Sequence, residues 1–156
     1  MANEKAEKEE KPKVIDISSL VTQDNSDEGV WTQVELYGNK QPFEVKILGA
    51  DNDEVMLHQK QVEKEASKAL GEVFRQSGTN EIETAEDIRS KKIENAVVRM
   101  NGVRSIDGTP LILQGVELKS DRDSYILLCR KIPAVIDFIV SKSNDRLLFT
   151  QGRNKN

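Results

Sequence analysis

This chain is short of the residues that most chemistry needs. Its 156 residues include one cysteine, one histidine, one tryptophan and 4% aromatic residues. With Cys129 alone, no intramolecular disulfide can form, and a four-cysteine zinc site is excluded. Cys129 lies in the apolar run Tyr125-Ile-Leu-Leu-Cys-Arg-Lys-Ile132. Burial there would raise its pKa and suppress the reactive thiolate, so an inert thiol is expected. His58 would have to carry any Ser-His-Asp triad or histidine metal site by itself.

Other absences narrow the field further. The net charge is -4 and the pI near 5.2, so the basic face of a nucleic-acid-binding domain is not expected. No window approaches the roughly 20 apolar residues needed to span a bilayer. Residues 1–13 alternate lysine and glutamate without the apolar centre of a signal peptide, so the protein is expected to remain in the cytosol. A phosphate-binding loop is missing too: Leu48-Gly-Ala-Asp51 has one glycine and no following Gly-Lys-Ser/Thr.

What is present is a chain 37% hydrophobic and 32% charged, enough for one core under a densely charged surface. Residues 1–13 read as a disordered charged tail and residues 150–156 as another, because neither buries enough apolar surface to offset its ordering entropy. Residues 14–149 read as a single domain. Val14-Ile-Asp-Ile-Ser-Ser-Leu20 is a short apolar entry segment, followed by the turn-rich Asp24-Asn-Ser-Asp-Glu-Gly29.

Val30-Trp-Thr-Gln-Val-Glu-Leu-Tyr37 and Phe43-Glu-Val-Lys-Ile-Leu48 read as two strands of a hairpin around Gly38-Asn-Lys-Gln-Pro42. Phe43, Val45 and Ile47 alternate with Glu44 and Lys46, the pattern of a half-buried strand. Two strands alone are marginal in water, so helices must cover one face. Four helices are expected.

The first runs from about residue 54 to 76, capped by Asp51 or Asp53, with Val55, Val62, Ala66, Ala69, Leu70 and Val73 as one apolar stripe. Ser77-Gly-Thr-Asn80 ends it. Thr84-Ala-Glu-Asp87 approximates a capping box for the second, whose stripe is Ala85, Ile88, Ile93, Ala96, Val97 and Met100. Asn101-Gly102 closes that helix, and Ile106 to Leu113 reads as a turn between short extended pieces. Ser120-Asp-Arg-Asp123 caps the third helix, to Lys131, and Pro133 opens the fourth, to about residue 142, with Val135, Ile136, Ile139 and Val140 on its apolar face. Leu148 and Phe149 dock the end. The expected fold class is therefore α+β: an N-terminal β-hairpin packed on a mainly helical domain of about four helices.

No catalytic constellation emerges, and a non-enzyme without cofactors is expected. Glu54 and His58, spaced i and i+4, share a helix face but amount to half a zinc site, and a surface or boundary histidine is the simpler reading. Asp51-Asn-Asp-Glu54 suggests calcium, yet Met56 and Val62 stand where an EF-hand loop needs glycine and glutamate, so a capping cluster is preferred. Trp31 reads as a core plug or as an aromatic anchor for a partner, the core plug being simpler.

Several features then line up in order. Gly29-Val-Trp31 opens a strand after an acidic lead-in, and Pro42-Phe-Glu-Val-Lys-Ile-Leu-Gly-Ala-Asp-Asn52 forms a second strand before a long charged helix. Further on come the Asp107-Gly-Thr-Pro-Leu111 turn, a Tyr125-bearing helix ending Ile132-Pro133, and a terminal Leu-Leu-Phe149. This order, over roughly residues 14 to 149, resembles the tail assembly chaperone-like proteins of long-tailed bacteriophages and prophages. The chain departs from that pattern in having Met100 or Val103 where members often carry a second tryptophan, and a longer stretch from Gly102 to Lys119.

The resemblance implies a protein in the cytoplasm of a bacterial host that coats the tape measure protein before tail tube subunits polymerise around it. The tape measure protein is the implied partner, with the tail tube protein and self-association as further candidates. Recognition would be helix-in-groove, with client anchors at i, i+3, i+4 and i+7, and many weak sites would act together on one long client. Trp31, Tyr125, Val135, Ile136 and Ile139 are the residues expected to face the client. The alternative is a structural virion component, such as a head-tail completion or minor tail protein. A small enzyme or host-directed inhibitor using His58 is the third class.

Overall fold

The computed structural model describes residues 13–75 and 83–151, with the side chains of residues 72–75 left aside. The expected tails, except Lys13, Thr150 and Gln151, lie outside the described residues, as do the helix end at Ser77-Gly-Thr-Asn80 and the side chain of Val73.

The architecture is α+β, and the expected hairpin is its start. Strand β1, Val30–Leu36, pairs antiparallel with β2, Asn39–Ile47, with Val30 opposite Ile47 and Thr32 opposite Val45. The loop is tighter than expected, only Tyr37 and Gly38, both with positive φ (56° and 81°), as a two-residue turn matched to strand twist requires. Pro42 consequently falls inside β2. The β1–β2 register shifts between Gln33 and Glu35, so the missing Pro42 N–H falls beside an irregularity in the ladder.

A third strand, β3 (Met100–Ser105), pairs antiparallel with β2 through Phe43–Ser105 and Val45–Val103. This corrects the expected helix end at Met100 to Gly102: the preceding helix stops at Val97 and the chain turns into the sheet. The sheet order is β1-β2-β3. A two-residue hairpin, β4 (Ile112–Leu113) and β5 (Val116–Glu117), stands apart, turning on Gln114 and Gly115 with positive φ (47° and 83°).

Five α-helices occur among the described residues, one more than expected, because the turn-rich stretch forms α1, Gln23–Glu28. The long α2 is Asp53–Arg75, and its cap is Asn52, not the expected aspartates: Asn52 Oδ1 accepts from Val55 N–H at 3.1 Å. Helix α3, Ala85–Val97, has the expected capping box, Thr84 Oγ1 accepting from Asp87 N–H and Asp87 Oδ2 from Thr84 N–H, each at 3.1 Å. Asp121 caps α4, Arg122–Lys131, by accepting from Ser124 N–H at 2.9 Å. Pro133 leads into α5, Ala134–Ser143.

Helix α5 lies on the inner face of the sheet, and α3 and α4 pack around it. The core joins Val34, Val45, Ile47 and Val103 of the sheet to Ala96 of α3, Leu128 of α4 and Val135 and Ile139 of α5. Phe149, in a 3₁₀ turn (Arg146–Phe149), closes it at 1% exposure, as expected for the docked end. Thr150 and Gln151 are tied to α1, since Asn25 donates to the Phe149 and Thr150 carbonyls and Gln151 donates to Asp24.

Candidate protein-binding surface

Helix α2 begins firmly anchored. Val55 is 1% exposed, and Gln59 Oε1 accepts from the Arg99 guanidinium at 3.4 Å. Arg99 is a buried cation with no carboxylate paired to it among the described residues. Its Nη1 donates to the Asn95 carbonyl at 2.6 Å and to Asn95 Oδ1 at 2.7 Å, placing its charge at the negative end of α3. Burial nevertheless pushes its pKa down.

Beyond that anchor α2 leaves the body. Every residue from 59 to 70 is exposed, including Val62 (42%), Ala66, Ala69 and Leu70 (59%). Of the expected apolar stripe Val55 is buried, whereas Val62, Ala66, Ala69 and Leu70 are exposed. At about 100° per residue, Val62, Ala66, Ala69 and Leu70 occupy about 100° of the helix circumference. Glu63 borders this stripe on one side and Glu65 on the other. Lys60, Lys64 and Lys68 fall on the opposite face. Gln59 and Gln61 donate to Glu63 and Glu65, one helical turn on, at 3.3 and 3.4 Å. Neither glutamate forms an ion pair among the described residues. Lys91 of α3 stands within electrostatic reach of Glu65 but gives its hydrogen bond to Glu83.

Trp31 is not the expected core plug. Period-2 alternation sends Val30, Val34 and Leu36 inward, and Trp31 half-buried to the outer face with Gln33 and Glu35. Its ring reaches across β2 to Gly102, and the Arg104 guanidinium stacks on it at 3.8 Å from the ring centroid. Arg104 is held in turn by Glu44. Tyr125, Val135, Ile136 and Ile139 go the other way: all four are at most 8% exposed. They hold α4 and α5 in the core and present no surface to a client in this conformation, because the apolar face of each helix is spent on the sheet and on its neighbours.

The apolar stripe that the sequence shows on α2 is therefore exposed from Val62 to Leu70. Apolar periodicity reveals a stripe but not whether its partner is in the same chain. The charge pattern was the available signal, since glutamates stand on both borders of the stripe. The entry segment is a second exposed apolar element, with Val14, Ile15, Ile17 and Leu20 all more than 60% exposed around a 3₁₀ turn (Ser18–Leu20).

The remaining chemistry is sparse. Glu54 and His58 do share a groove of about 410 Å³, to which Glu94 and Arg122 also contribute, and His58 Nε2 is buried there without a hydrogen-bond partner. Among the described residues, no three His, Cys, Asp or Glu side chains stand close enough to hold a metal ion. Asp51 accepts from Thr22 Oγ1 at 2.6 Å and from Arg146 Nη2 at 3.1 Å, and these bonds, Arg146 foremost, lower its pKa. Cys129 is buried against Met100 Sδ at 3.8 Å, and burial pushes its thiol up to about 12, as expected of an inert cysteine. No described helix is long and apolar enough to cross a membrane. The chain matches no family model, no curated protein and no solved structure.

Proposed function

We propose that this chain is a tail assembly chaperone of a long-tailed bacteriophage or prophage, binding the tape measure protein to keep it soluble and to guide tail tube assembly. The observation that carries this reading is the unpartnered face of α2. A folded domain has no intramolecular use for Val62, Ala66, Ala69 and Leu70 on an exposed helix. An exposed, helically spaced apolar stripe is a ready partner for another amphipathic helix. The order of elements also supports it, from the Trp31 strand through the long charged helix to the Pro133 helix and Phe149.

A client of hundreds of helical residues offers the same face repeatedly. Modest affinity at each copy then gives firm coating, and release as tube subunits take over. Co-expression with a long helical tape measure protein tests the reading. The client should move from the pellet to the soluble fraction and co-purify with the chain. Equal insolubility with and without the chain refutes the proposal, and abundant copies in purified mature virions point to the structural alternative.

A further inference from the structure

We propose that the segment seated on α2 is an amphipathic helix carrying lysine or arginine on both sides of its apolar stripe. The inference deepens the proposed function and rests on its premise that α2 is the client-binding helix. Charge decides the occupant. Glu63 and Glu65 border the stripe from opposite sides, are exposed, and form no ion pair among the described residues. The lysines of the helix, Lys60, Lys64 and Lys68, lie on the face opposite the stripe and form no ion pair with either glutamate among the described residues. Lys91, within reach of Glu65, gives its hydrogen bond to Glu83.

A helix docked along Val62, Ala66, Ala69 and Leu70 therefore places its own flanking residues beside glutamates, as the border positions of paired helices do. Basic flanks gain opposite-charge neighbours, whereas acidic flanks meet like charge. A second copy of this chain is a poor occupant for the same reason, since it would set one glutamate-bordered stripe against another. The alanines at the centre of the stripe allow a partner helix to approach closely, because interaxial distance follows the size of the side chains at the crossing.

The test uses two labelled synthetic helical peptides with the same leucine and alanine stripe, one with lysines and one with glutamates at the flanking positions. Each is titrated against the full chain by fluorescence anisotropy. The lysine peptide should bind about tenfold more tightly at low salt, with the gap narrowing as salt screens the exposed pairs. The double variant Glu63→Lys/Glu65→Lys should reverse the order. Both positions are exposed, so this variant keeps its fold, as a circular dichroism melt will verify.

Equal binding of the two peptides, preference for the glutamate peptide, or a dimer of the chain that Ala66→Lys dissociates would each overturn the inference. Failure of the parent reading looks different. There the peptide preference and its reversal persist while the co-expressed tape measure protein stays insoluble. Conversely, a client solubilised equally by the wild type and the double variant overturns the basic-flank inference and leaves the chaperone reading standing.

Discussion

Trp31 on β1 lies against Gly102 on β3, reaching over the intervening strand, and a Cβ at position 102 would stand 2.6 Å from the ring's Cη2. The slot exists because position 102 has no side chain. Gly102→Ala should push the ring toward solvent and cost about 1–3 kcal/mol, the usual scale for overpacking. Trp31 is the sole tryptophan, so its fluorescence reports the change directly: emission should shift to the red and the melting temperature should fall. Unchanged emission would show that the ring is not seated on Gly102.

A second close approach joins two segments distant in sequence. A Cβ at Gly49 would overlap the Ser26 hydroxyl and lie 2.7 Å from Ser26 Cβ. Gly49→Ala should destabilise by about 1–3 kcal/mol. The Ser26 hydroxyl is buried without a hydrogen-bond partner, so removing it forfeits no bond. The double variant Gly49→Ala/Ser26→Gly should therefore recover part of the loss in chemical denaturation, giving a non-additive cycle. Strict additivity would contradict the contact.

Asp51 links α1's lead-in to the C-terminal turn through Thr22 and Arg146. Its pKa is lowered on folding, so it binds fewer protons folded than unfolded at acid pH. Its contribution is then fully present above the ordinary aspartate value of 3.8 and is lost as pH falls through the depressed folded value. Asp51→Asn should lower stability at neutral pH by roughly 1 kcal/mol or less, as befits a partly exposed pair. The gap to wild type should close in thermal melts on the acid side of 3.8. A gap independent of pH would contradict the linkage.

The stripe on α2 predicts a contrast in stability. Val62→Lys and Leu70→Lys replace exposed apolar residues and should change unfolding free energy by no more than about 0.5 kcal/mol. Val55→Ala removes buried methyl groups seven residues earlier on the same stripe and should cost about 1–3 kcal/mol. Large destabilisation by the lysine variants would mean that the stripe packs within the chain.

Local chemistry was the legible part of this fold. The alternation of Phe43, Val45 and Ile47 revealed β2, and the Thr84–Asp87 box and the Ser120–Asp123 stretch marked the starts of α3 and α4, because each signal is written in adjacent residues. β3 was hidden by length and composition: Met100 and Asn101-Gly102 read as the end of a helix, and only pairing with β2 makes Met100–Ser105 a strand. The surface was hidden for a different reason. Apolar positions on α4, α5 and α2 look alike in sequence. Tertiary packing consumed Tyr125, Val135, Ile136 and Ile139 and left Val62, Ala66, Ala69 and Leu70 uncovered. Period-2 parity with Gln33 and Glu35 already placed Trp31 on the polar face, although its size suggested the core.

Amide hydrogen exchange on the co-purified chain–client complex, compared with the free chain, tests the central claim most directly. Clients that dock on α2 should slow exchange across residues 59–70, where the helix stands exposed, and leave the β4–β5 hairpin unchanged. Protection confined to other segments, with residues 59–70 exchanging as in the free chain, would contradict the account.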